Sequence, residues 1–138
     1  MTQEDKKLLL KDLCARLPYG VIVDPVDCSK AILVGIKDGG LLLFDTIRKK
    51  EYDKPWDIEY IKPYLRPISS ITRGEKEEFE QIRYNAEAKL FNAFSKGGFT
   101  LAFHEINDWL NAHHFDYRGL IGKDLAIAVD ENNNPYDI

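Results

Sequence analysis

The stretch Asp57–Glu80 reads DIEYIKPYLRPISSITRGEKEEFE, and its reading decides the fold class. Pro63 and Pro67 forbid a continuous helix, because each lacks a backbone N–H and drives the residue before it into an extended conformation. Beyond Ser69, Ser70 and Ile71 the pattern changes. Thr72 stands three residues before Glu75. That is the spacing of a capping box: the threonine hydroxyl accepts from the amide of residue 75, and the glutamate carboxylate accepts from the amide of residue 72. A charged helix is predicted to follow. The stretch is therefore the junction between a strand-rich part, residues 1–68, and a helix-rich part, residues 69–129, with a loose polar tail over 130–138.

Upstream, Thr2 with Asp5 predicts a helix start, and Leu10, Leu13, Cys14 and Leu17 form an amphipathic stripe ending at Leu17-Pro18. The predicted helix covers residues 3–16. Short β-rich runs follow at Gly20–Val23 and Ala31–Ile36. Lys37-Asp38-Gly39-Gly40 reads as a hairpin turn, since glycine supplies the positive φ such turns need. It predicts an antiparallel pairing of Ala31–Ile36 with Leu41–Ile47. Both runs are continuously apolar near the turn, so they are expected to be covered on both faces or central in the sheet.

Downstream, Phe79, Ile82, Ala86, Leu90 and Phe94 give the second helix one apolar face. Ser95-Lys96-Gly97-Gly98 is its expected stop. Phe99–Phe103 reads as a bridging segment or short strand, and a third helix is predicted over His104–Ala112 with Ile106, Trp109 and Leu110 inward. Leu125–Val129 is β-like. The predicted architecture is α+β: one domain holding a small antiparallel sheet of three to four strands, packed by about three helices.

The chain has 138 residues, 44% apolar and 30% charged, with a formal net charge of −4. That length supports one core without staples. The acidic balance argues against nucleic acid as a partner, because phosphate neutralisation needs a basic face. No apolar run approaches the roughly 20 residues of a membrane helix. Cys14 and Cys28 lack the paired spacing of a zinc or redox motif, which predicts reduced thiols and a cytoplasmic location.

Three blocks together carry a resemblance: LLLKDLCARLPYGV (Leu8–Val21), IEYIKPYLRPISSIT (Ile58–Thr72) and DWLNAHHFDYRGLIGKDLAIAV (Asp108–Val129). The chain resembles a family of small uncharacterised proteins from gut-bacterial genomes and their phage-like or mobile elements. Segments 24–57 and 80–107 lie outside the resemblance. It implies a soluble, cytoplasmic protein encoded by a mobile element. That family has no assigned activity, so no catalytic residue carries over.

Chemistry-bearing motifs are sparse. His104, Asp108, His113, His114 and Asp116 form the richest polar cluster, but adjacent His113 and His114 do not share a helix face with His104 and Asp108. The expected arrangement is a helix end bonded to carbonyls, with no metal. Asp116 and Arg118 read as a local ion pair and turn. Neither Gly39-Gly40 nor Gly97-Gly98 is a phosphate loop, and no cofactor is expected. Aromatics recur at Tyr52, Trp56, Tyr60 and Tyr64, either packed over the sheet edge or forming an exposed groove for a partner.

The leading expectation is a small soluble binding or adaptor module acting through protein–protein contacts, with a protein partner or a second copy, and more a binder than an enzyme. The alternatives are an enzyme of unrecognised type using His113–Asp116, and a nucleic-acid regulator. A cleft lined by His and Asp with perturbed titration favours the enzyme. An exposed aromatic patch favours the adaptor.

Overall fold

A computed structural model describes residues 1–25, 30–96 and 99–136, with side chains described outside 89–103. Cys28 and the Gly97-Gly98 stop lie outside the described residues. Helix α1 spans Gln3–Arg16, held at its start by the Thr2–Asp5 capping box. The strands are β1 (Ile22–Asp24), β2 (Ala31–Lys37), β3 (Gly40–Asp45), β4 (Lys50–Glu51), β5 (Lys62–Leu65) and β6 (Ile127–Ala128). Helices α2 (Arg73–Lys96) and α3 (Phe99–Ala112) stand between β5 and β6.

The α+β class holds, but the sheet has six strands, in the order β4-β3-β2-β1-β5-β6, where three to four were expected. It is also mixed: β6 runs parallel to β5, with Tyr64 opposite Ile127 and Leu65 opposite Ala128. The discrepancy has a simple cause. β4 is two residues long, too short to carry a periodicity of its own, and β5 contains Pro63, in the stretch read as interrupted by proline, whereas β6 falls within the β-like run Leu125–Val129.

The β2–β3 hairpin forms where it was expected, with Asp38 at φ 51° and Gly39 at φ 78°. Positive φ at both central positions is the type I′ turn, whose twist matches that of the strands. Gly40 is needed for a different reason: a Cβ there would lie 2.5 Å from the Cβ of Pro55. The two strands are interior to the sheet, yet only one of their faces is fully buried. On it, Ala31, Leu33, Leu41 and Leu43 meet Leu9 and Leu13 of α1. On the other, Ile32, Leu42 and Phe44 are half-buried.

The buried face of α1 differs from the expected stripe. Leu9, Asp12, Leu13 and Arg16 point inward, while Leu10 and Cys14 are exposed. A buried ion pair sets this rotation: Arg16 Nε donates to Asp12 Oδ2 at 2.8 Å, and Arg16 Nη2 donates to the Phe115 carbonyl at 2.6 Å. Arg118 Nη1 reaches the other oxygen of Asp12 at 2.9 Å. Pairing the charges in this way offsets the desolvation that otherwise forbids them, although the buried Arg16 Nη1 has no hydrogen-bond partner among the described residues. Arg118 thus pairs with Asp12 and not with its neighbour Asp116. That carboxylate instead accepts from the amides of Leu120 and Ile121, both at 2.9 Å.

The expected capping box at α2 is present, with Glu75 N donating to Thr72 Oγ1 at 3.2 Å and Thr72 N donating to Glu75 Oε1 at 3.0 Å. Helix α3 begins at Phe99, not His104, so the segment read as a bridge is helical. At its other end Trp109 is buried, and its Nε1 donates to Glu78 Oε1 of α2 at 2.9 Å.

Candidate functional site

An open cleft of about 860 Å³ lies where three segments meet. Arg66, Pro67 and Ser70 contribute from the end of β5, Ala112–His114 from the end of α3, and Val129–Tyr136 from the C-terminal segment.

The α3 wall is built by a Schellman ending. Phe115 N donates to the Leu110 carbonyl and His114 N to the Asn111 carbonyl, at 3.0 and 3.1 Å. This bond pair requires a left-handed residue between them, usually glycine. Here it is His114, at φ 62°, a conformation that costs a residue with a Cβ about 1 kcal/mol. The hydrophobic contact that goes with the motif is Phe115 on Trp109, with ring centres 5.7 Å apart. His113 stacks on Trp109 at 4.0 Å, and its Nδ1 lies 2.9 Å from the Trp109 carbonyl. A carbonyl only accepts, so Nδ1 carries the proton.

The β5 wall is Arg66. Its guanidinium forks onto Glu75, with both bonds at 2.7 Å, and lies 4.2 Å from the Phe115 ring centre. Glu75 therefore serves the helix cap and the cleft wall together. The hydrogen bonds from Arg66 hold its carboxyl at a pKa of about 2, helped by the Thr72 amide. The Arg66 amide donates to the His114 carbonyl at 2.7 Å, locking the two walls together.

The third wall is the segment expected to be loose. It is anchored as far as Tyr136, whose ring stacks on His114 with centres 3.8 Å apart. The Tyr136 hydroxyl accepts from the Ile22 amide at 3.0 Å and donates to the Tyr64 carbonyl at 2.7 Å. It thereby bridges β1 and β5 beyond their last paired residues, Val23 and Pro63. Burial pushes the Tyr136 hydroxyl pKa well up. Asx turns shape the rest of the segment: Asn132 N donates to Asp130 Oδ1 at 2.8 Å, and Tyr136 N to Asn134 Oδ1 at 3.1 Å.

His114 is strongly perturbed as well. Burial foremost, then the positive charges of Arg16, His113 and Arg66, lower its pKa to about 4. Its imidazole is neutral at pH 7, and its buried Nδ1 has no hydrogen-bond partner among the described residues.

Of the polar cluster read in the sequence, His113 and His114 line this cleft. Asp116 is a backbone cap, Asp108 faces Tyr19, and His104 is exposed. Among the described residues, no group of three His, Cys, Asp or Glu converges as a metal site would require. The aromatic row does not form one patch. Tyr52 and Trp56 pack edge-to-face at 5.4 Å, half-buried along β3. Tyr64 is 6% exposed, and Tyr60 is the open member at 54%. Arg66 and Tyr136 were missed in the sequence. The only local signal for Tyr136 is Asn134-Pro135, turn chemistry just before an aromatic.

Comparison of the chain with family models, with curated proteins and with solved structures finds no match.

Proposed function

We propose that the protein is a small binding module acting through protein–protein contact, and that its partner seats in the cleft between β5, the end of α3 and the C-terminal segment. The observation that supports this most is that the polar groups of the cleft are engaged in holding its walls. Arg66 is held by Glu75, Ser70 Oγ donates to the Pro67 carbonyl at 2.7 Å, and His113 is bonded to Trp109. A surface of fixed rings, with Arg66, Ser70 and His113 already engaged, recognises shape and offers no activated nucleophile among the described residues.

An enzyme is the second reading, because the cleft does contain His and Asp and two strongly perturbed groups, His114 and Tyr136. Two features weigh against it. A base with a pKa near 4 removes protons poorly at pH 7. No carboxylate orients the His114 Nδ1, which has no hydrogen-bond partner among the described residues. The cytoplasmic location and mobile-element origin implied by the resemblance belong to the same proposal. No helix among the described residues is long and apolar enough to cross a membrane.

The test is selection of random displayed peptides on the wild type, with Ala112→Arg as the counter-selection target. Enriched peptides should bind wild type and Tyr60→Ala, fail on folded Ala112→Arg, and move amide signals at 112–115 and 129–136. Peptides whose signals map to Tyr60 and the β3 edge, or none enriched, would sink the cleft reading.

A further inference from the structure

The C-terminal wall of the cleft is attached in an unusual way. Between Val129, whose amide donates to the Leu65 carbonyl at 2.8 Å, and Tyr136, the hydrogen bonds of the backbone are local turns: Asp130 with Asn133, and the two Asx turns. The segment is thus a strap fastened at its two ends. The far fastening is a single side chain. Its ring lies nearly parallel to the His114 imidazole, at 10°, and its hydroxyl fills the gap where β1 and β5 part.

That seat has a definite chemistry. Ile22 N–H is a donor and the Tyr64 carbonyl an acceptor, and one oxygen satisfies both only if it both accepts and donates. A hydroxyl does so, whereas a carboxylate or an ammonium does not. The reach from the ring over His114 to the gap matches a phenol, as the resident residue demonstrates. His114 is left-handed at a position where glycine is favoured, and a glycine there would leave no ring for the phenol to stack on.

We propose that this seat is a tyrosine-recognition site, and that Tyr136 is its resident, displaceable occupant. A partner segment presenting a tyrosine stacks that ring on His114, places its hydroxyl between Ile22 and Tyr64, and lifts the strap, so that the tail competes with the partner and sets a threshold for binding. The inference rests on the reading of the cleft as a docking site.

The experiment uses the full chain and a synthetic peptide with the sequence of residues 130–136, DENNNPY. The Tyr136→Ala variant should bind the peptide about tenfold more tightly than wild type, whose seat is filled. A peptide with phenylalanine in place of the tyrosine should lose about tenfold, as loss of one bridging hydroxyl predicts. Binding should move the His114 ring signals and the Ile22 amide. If Tyr136→Ala does not fold, Tyr136→Leu takes its place. Equal affinity of the two peptides, binding that leaves the His114 ring unmoved, or no difference between variant and wild type overturns the proposal. None of these results touches the peptide selection that tests the cleft itself.

Discussion

At the scale of single residues, His114 concentrates several departures from the ordinary. It takes a left-handed backbone, a stacked and desolvated ring, and cationic neighbours on two sides, Arg16 from α1 and Arg66 after β5, with the His113 imidazole on a third. Its depressed pKa makes a directional prediction. Above pH 6.5 folded and unfolded chains both hold it neutral, and no difference arises. Between pH 6.5 and about 4 the unfolded chain takes up a proton that the folded chain refuses, so stability falls as pH falls through that window. The loss should be about 2 kcal/mol, less than the full shift implies because the ring is only partly shielded. Urea titrations across the window should show it in wild type and a flatter profile in His114→Gln. A matching slope in both would assign the effect elsewhere. Glu75 acts in a lower window. Its pKa is depressed to about 2, so its contribution is present above pH 4.5 and lost below.

Among the elements, the start of α2 matters beyond its own stability. Thr72 and Glu75 cap the helix, and the same carboxylate grips Arg66 at the cleft wall. Thr72→Ala should cost about 1 kcal/mol, and Thr72→Asp much less, since aspartate caps equally well. Glu75→Gln should cost more than Thr72→Ala, because it also leaves the Arg66 fork without its anion. Denaturant titration of the three variants gives the order, and equal losses in all three would deny the double role. Both capping boxes were legible in the sequence because a cap depends on residues three apart. The buried face of α1 was not. Leu10 and Cys14 fit the helical period as well as Leu9 and Asp12 do. The choice was made by the Phe115 carbonyl and Arg118, which lie 99 and 106 positions from their partners in α1.

Across the whole molecule, the C-terminal segment closes the fold by inserting one hydroxyl between β1 and β5. Tyr136→Phe should remove the hydroxyl to which the Ile22 amide donates, at a cost of about 1–3 kcal/mol. Hydrogen exchange should quicken at the Ile22 amide far more than at the α1 amides, and an unchanged rate there would mean that the hydroxyl does not bridge the strands. The starts of α1 and α2, the β2–β3 hairpin, the first helix's limits and the α+β class were determined by the sequence itself, because each follows from φ preferences or hydrogen bonds within a few residues. Tertiary structure alone decided the six-stranded order, the parallel β5–β6 pair, the inward turn of Asp12 and Arg16, and the cleft. A two-residue strand has no periodicity to read. A buried charge is tolerated only where a distant partner meets it, and a tyrosine becomes a wedge only where two strands part in front of it.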